Sequence, residues 1–203
     1  QLPRIEDFRP DCSPEQIQAA EARNTRAIAM QAYLYAFPAF LHLRQLTEFI
    51  QGRQYFAPQE WPLGGWVVMR ELATPATTTV SPNVDTVYGA SYLLLDRQGP
   101  VVLSVPPIPE RYYSVAILDA YFNNFAIVSP RTFGSDGGAY LLAPPGWQGT
   151  PPPGIRAIFH APTPSLCLLQ RIYLRDKSEY AYLHSLQDAI RLTPLERWQQ
   201  GTD

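Results

Sequence analysis

The distribution of apolar and polar positions divides the chain into three stretches. Between Ser13 and about Ile50 there is no glycine, and Ala, Gln, Glu, Arg and Leu dominate. Ile17, Ala20, Ile28, Tyr35, Leu41 and Leu46 belong to a broad apolar face at helical spacing. Ser13 as N-cap, Pro14 at the first helical position and Glu15 in the first turn form a helix start, and Gly52 suits the C′ position at its end. Pro38 falls inside this stretch. Its ring removes one bond from the helical ladder, which predicts two helices meeting near Tyr35. Residues 52–80 contain Pro58, Pro62, Gly64, Gly65 and Pro75 and predict a long loop with one short strand at Trp66–Met69.

From Val80 onward short apolar runs alternate with turn residues. Strands are predicted at Thr86–Leu95, Val101–Val105, Tyr112–Leu118, Phe125–Val128, Ala139–Leu142, Ile155–Phe159 and Leu166–Leu174. In the run that starts at Tyr112, Tyr113, Val115 and Ile117 share one face with Asp119, and Ser114, Ala116 and Leu118 share the other. Ser178–Leu192 returns to helical spacing through Leu183, Leu186 and Ile190, and Pro194 stops it. The expected fold is α+β: an antiparallel β-sandwich or jelly-roll-like core over 66–175, flanked by a long kinked N-terminal helix within 14–50 and a short C-terminal helix within 176–193. All of it is read as one domain, 1–203.

Composition sharpens this in a few places. Proline, at 21 of 203 residues, is about twice its usual ~5% share and favours short strands with stiff turns over a helical bundle. Net charge is −2 and the basic residues are scattered, which excludes nucleic acid as a partner. No apolar run approaches the ~18 residues of a membrane span. Cys12 and Cys167 are too far apart in sequence for a metal or redox motif. They are either two free buried thiols or a disulfide tying the N-terminal arm to the core, which would fit an oxidising compartment. The chain starts at Gln1, as a processed mature form or a trimmed one would, and export is inferred on that basis.

The nucleophile elbow, the phosphate loop and the dinucleotide fingerprint are absent. His42 and His184 lie on predicted helices, and His160, just past a strand end, is the histidine best placed to be a site residue; no metal site is expected. Two polar clusters remain. Ser81-Pro82-Asn83-Val84-Asp85-Thr86-Val87-Tyr88 reads as an Asx-turn at a strand start, or as a strand mouth with Asp85 as general base or ligand anchor and Asn83 and Tyr88 beside it. Glu110-Arg111-Tyr112-Tyr113, followed by Asp119 to Asn124, offers Arg111 for a salt bridge with Asp85 or Asp119, or as an anion clamp. Arg171, inside an apolar run, needs a partner, with Asp85 and Asp119 as candidates. Trp61, Trp66 and Trp147 lie in Gly/Pro-rich loops, either as packing anchors or as platforms for an apolar or sugar ligand.

The ordered set of Ser81–Tyr88, Gly99–Pro106, Arg111-Tyr112-Tyr113, Asp119–Asn124, the turn at Gly134, Ala161-Pro162-Thr163 and Arg171 resembles the bacterial "domain of unknown function 1254" family over roughly residues 25–195. The resemblance implies an exported, periplasmic or extracellular bacterial protein with a β-sandwich-like domain. It also implies a companion domain, "domain of unknown function 1214", which these residues do not include. The matched positions are Asn83, Asp85, Tyr88, Arg111, Tyr113, Asp119, Asn123 and Arg171. The resemblance carries no catalytic role; the clustering of polar residues at two strand ends, taken by itself, gives the expectation of a cofactor-free hydrolase or lyase acting on a small or glycan substrate. In it Asp85 and Asp119 join the catalytic cluster, Tyr88 or Tyr113 donates a proton, and Asn83, Asn123 and Arg171 bind ligand. The rival expectation is a non-catalytic glycan or apolar-ligand binding module, or the structural half of a two-domain assembly. Either way, the broad apolar surface of Ile28–Leu46 predicts association with a second copy or a detached companion domain.

Overall fold

A computed structural model describes residues 13–53, 60–77 and 82–201. Its elements are α1 (Pro14–Ile50), β1 (Val67–Val68), β2 (Thr86–Leu94), α2 (Leu95–Gln98), β3 (Val101–Val105), β4 (Tyr113–Leu118) and β5 (Asn124–Val128). There follow α3 (Pro130–Phe133), β6 (Gly138–Ala143), β7 (Ile155–His160), β8 (Ser165–Tyr173), a 3-10 turn (Lys177–Glu179), α4 (Tyr180–Ala189), β9 (Arg191–Pro194) and α5 (Leu195–Gln199).

Both ends of α1 form as their residues dictate. The Ser13 hydroxyl accepts from the Gln16 amide at 3.3 Å while the Gln16 side chain accepts from the Ser13 amide at 2.8 Å, a reciprocal box that satisfies two orphan donors. At the other end Gly52 takes φ 64°. The Gly52 amide reaches the Phe49 carbonyl and the Arg53 amide reaches the Glu48 carbonyl, the paired bonds of a left-handed C-terminal stop. The helix is a single element through Pro38, not two helices meeting near Tyr35. One missing bond in 37 residues of glycine-free, helix-forming sequence does not terminate it.

The chain divides into two compact units, residues 1–40 and 41–203. In the first, every described residue from Ser13 to Phe37 is exposed, including Ile17, Ile28, Met30, Tyr33, Leu34 and Tyr35. Tyr33 and Phe37, one turn apart, bring their rings within 5.6 Å.

The second unit is built on two sheets. One has strand order β1-β2-β8-β4-β5 and is antiparallel throughout; the other has order β7-β6-β3-β9, with β6 and β7 parallel. Register places Val87, Ile172 and Tyr113 in one row, Ser91, Leu168 and Ile117 in another, and Leu93 beside Leu166, all on one face of the first sheet. That face packs on Val101, Leu103, Val105, Tyr140 and Leu142 of the second sheet to form the main core, which Leu183, Leu186 and Ile190 extend. The opposite face of the first sheet carries Tyr92 and Cys167, on which Leu46 and Phe49 of α1 pack. His42 belongs to this layer. It is fully buried, sits against Tyr92 and Phe122, and meets the Ser165 hydroxyl at 2.6 Å through Nε2.

The C-terminal stretch differs from expectation. The helix ends at Ala189, and Arg191–Pro194 is a strand on β3. Ile190 breaks the helix with an extended backbone, and Pro194 fits because β9 is an edge strand. Cys167 is a free, buried thiol pushed up to about 12 by burial, so no disulfide holds it; Cys12 lies outside the described residues.

Two expectations follow from the packing. A methyl group at Gly89 would stand 2.4 Å from Nε2 of the fully buried Gln170 on the neighbouring strand. Gly89→Ala is expected to cost about 1–3 kcal/mol, read as a lower urea midpoint, and Gly89→Ala combined with Gln170→Ala should recover part of it. A double variant no more stable than the single would refute the contact. Burial also lowers the His42 pKa, with the opposing pull of Asp119 the smaller effect. The unfolded chain therefore binds a proton near pH 6.5 that the folded chain refuses until lower pH. Stability is expected to fall as pH drops below about 6.5 and through the lowered folded value, and to fall less steeply in His42→Leu. Superimposable midpoint-against-pH slopes for the two proteins would assign the effect to other groups.

Candidate functional site

The residues singled out in the sequence fall on separate places in the second unit. Asn83 makes an Asx-turn: its Oδ1 accepts from the amides of Asp85 at 2.9 Å and Thr86 at 2.8 Å, which starts β2. Its Nδ2 donates to the Tyr88 hydroxyl at 3.3 Å. Asp85 is exposed, and its carbonyl accepts from the Leu174 amide. Tyr88 and Arg171 are register partners on β2 and β8, with the guanidinium carbon 4.8 Å above the ring. These three, Asn83, Tyr88 and Arg171, are brought together on the face of the first sheet that looks away from the main core.

The remaining residues are held apart from them. Arg111 is buried. Its Nη1 donates to the Tyr173 carbonyl at 2.6 Å and to Glu179 Oε2 at 2.9 Å, and Tyr182 lies beneath the guanidinium. The carboxylate that pairs with it is thus Glu179, neither Asp85 nor Asp119, and the Arg111 hydrogen bond holds the Glu179 pKa below its usual value. Tyr113 points into the core, donates to the Gly134 carbonyl at 3.1 Å, and is pushed up to about 12, first by burial. Asp119 closes the loop after β4. Its Oδ1 accepts from the amides of Tyr121 and Asn123, and its Oδ2 from the Asn123 side chain. The six residues of β4 put this loop about 20 Å from the Arg111 end at ~3.3 Å per residue. His160 is exposed at the end of β7.

The concave site lies elsewhere, between edge strands β1 and β9 of the two sheets. A cleft of about 630 Å³ is lined by Trp61, Gly64, Trp66, Val68, Arg70, Gln187, Asp188, Ile190, Arg191, Leu192, Thr193, Pro194 and Arg197. This volume is within the range of small-molecule sites. The indole Nε1 atoms of Trp61 and Trp66 are buried without a hydrogen-bond partner among the described residues. Arg70 ties the walls together: it donates to Asp188 at 2.5 Å, to the His184 carbonyl at 3.2 Å and to Gln187 Oε1 at 3.3 Å. Gln187 in turn donates to the Met69 and Tyr88 carbonyls, and the His184 ring meets the Arg70 carbonyl. The lining holds three arginines, Arg70, Arg191 and Arg197, and one aspartate, Asp188, which is paired with Arg70.

Sequence reasoning left Trp61 and Trp66 as either packing anchors or ligand platforms and missed the other wall. Reading Arg191–Leu192 as the end of a helix hid β9, and no sequence motif joins residues 61–70 to 187–197. Trp147, the third loop tryptophan, packs over Gly149 and does not line the cleft. No cluster of three or more potential metal ligands occurs among the described residues, and none of their helices is long and apolar enough to cross a membrane.

Comparison with known proteins agrees with the fold. The VPA0106 protein from Vibrio parahaemolyticus, a solved structure, is similar with a TM-score of 0.62 at 20% identity; the match covers 83% of this chain and 38% of that one. The chain therefore corresponds to well under half the length of that protein. No curated protein matches it. The family described as "Protein of unknown function (DUF1254)" matches residues 65–194, which take in both sheets and most of the cleft, and the chain belongs to that family.

Proposed function

We propose that this domain is a binding module for a small acidic ligand with a planar or sugar ring, such as an aromatic carboxylate or an acidic sugar, held in the cleft between β1 and β9. The observation that carries this reading is the presence in one concave site of two tryptophans with unpartnered buried indole N–H groups, with arginine side chains in the same lining. Indoles stack on rings and donate one directional hydrogen bond; arginines select the acid. The hydrolase or lyase reading is less well served. Tyr113 keeps its proton and spends it on a carbonyl, Arg111 is occupied by Glu179 and Tyr173, and the Asp119 carboxylate already accepts three N–H groups. A general base needs a lone pair within reach of a substrate proton.

Tryptophan fluorescence tests the cleft directly. Titration with glucuronate or indole-3-acetate is expected to change the emission, and neutral glucose is expected not to. Arg197→Gln and Trp66→Phe should each weaken the acidic ligand about tenfold. Equal responses to acidic and neutral probes, or none to any of them, would sink the proposal.

A second observation bears on partners. Ile28, Met30, Tyr33, Leu34, Phe37, Phe40 and Leu43 are all exposed on α1, and helical spacing distributes them around more than one face. This supports self-association of the protein through α1. Sedimentation is expected to show a dimer or larger species, reverting to monomer in Leu34→Glu with Phe37→Glu. A monomeric wild-type protein would overturn self-association and leave the surface to a companion domain.

A further inference from the structure

The first sheet presents a second polar site on the face opposite the core, independent of the cleft. The end of α1 packs on Tyr92 and Cys167 of this face. Two rows further along β2, register places Tyr88, Arg171 and Ser114 side by side, and the adjacent row holds Thr86 and Tyr173. Tyr112 continues that row, its carbonyl accepting from the Tyr173 amide.

Four features of this row are independent of one another. The Arg171 guanidinium stacks on Tyr88, yet among the described residues it makes no hydrogen bond or ion pair. Ser114 is 4% exposed and its Oγ has no partner; Thr86 is 7% exposed and its Oγ1 has none either. The Tyr88 hydroxyl accepts from Asn83, which leaves its own proton to donate. Tyr112 and Tyr173 are exposed beside them.

Strand alternation puts all of these side chains on the same side of the sheet. Tyr113, Val115 and Ile117 face the core, so Ser114 faces outward, as do its neighbours across the ladder. A half-buried guanidinium is desolvated on its stacked face and keeps planar N–H groups at its edge, the geometry that matches two oxygens of one acid group. Buried hydroxyls without partners beside it are donors in need of an acceptor. We infer that this row binds the oxyanion of a small ligand, a carboxylate or a phosphate. Arg171 holds two of its oxygens, Ser114 and Thr86 donate to them, and the exposed tyrosines flank whatever body the group is attached to.

The test is an amide-resolved NMR titration of the protein with benzoate and, separately, with inorganic phosphate. Shifts are expected at Thr86, Tyr88, Ser114 and the Arg171 side chain. Arg171→Lys, which keeps the charge and loses the fork, should weaken binding about tenfold. Ser114→Ala should weaken it about threefold while leaving the thermal midpoint unchanged, a separation that a structural hydroxyl would not give. Trp66→Phe should leave these shifts intact, which keeps this site and the cleft distinguishable. A response to benzoate alone identifies a ring-bearing carboxylate; a response to phosphate, alone or as well, identifies a general oxyanion site. The inference is overturned if neither probe moves these signals, or if both variants bind as the wild type does. Should Arg171→Lys fail to fold, Ser114→Ala decides.

Discussion

Strand β8 must be buried on both faces, and most of the molecule follows from that. It is the central strand of the five-stranded sheet, with the second sheet against one side and the end of α1 against the other. A strand sealed on both sides cannot alternate apolar and polar residues, which is why Leu166-Cys167-Leu168-Leu169 is a continuous apolar run. The two polar residues that follow are therefore exceptional, and they face opposite ways. Gln170 turns inward, where the space for its side chain is made by the missing Cβ of Gly89. Arg171 turns outward, beyond the reach of the α1 layer.

Much of this architecture was legible in the sequence because its signals are local. Ser13, Pro14 and Gly52 set the ends of α1 through bonds spanning a few residues, and eight of the nine strands among the described residues lie within a residue or two of where runs and turns place them. What was illegible is what depends on distant partners. Strand β9 has four residues and continues a helical pattern, and only its pairing with β3 makes it a strand. Glu179 was not a foreseeable partner for Arg111, since the two meet only when β4, β8 and the turn before α4 are assembled. His42, on what reads as one more turn of an amphipathic helix, is a buried link to Ser165.

The cleft also grows out of a sheet-level constraint. Edge strands leave backbone groups unpaired and must be covered, twisted away or put to use. Here the edges of both sheets meet one helix. Gln187 of α4 occupies the carbonyls of Met69 and Tyr88, and Arg70 clamps β1 to the same helix. Because α4 is pinned to one edge and runs directly into the strand that forms the other, the spacing between the two walls is set by covalent connection as well as packing. An opening lined with indoles is the consequence, its walls held by bonds that do not need a ligand, as in a preformed site.

Arg111 and Arg171 show why position alone does not make a binding residue. Both lie at the same end of the first sheet and both stack on a tyrosine, Tyr182 and Tyr88 respectively. The Arg111 guanidinium is closed off: a carbonyl and a carboxylate accept from it, and 5% of its side chain remains exposed. Removing it would take the guanidinium away from the Tyr173 carbonyl and leave Glu179 only its bond from the Arg175 amide, a stability effect that any assay would register as lost function. Arg171 has the aromatic support without the acceptors, and its neighbours Ser114 and Thr86 are equally unpaired. Folding gains little from such a row, since desolvated donors without partners cost free energy. Ser91 and Gln170 are also unpaired, but they face the core; the outward patch, with a guanidinium beside its unpaired hydroxyls, is the one open to a ligand that brings the acceptors with it.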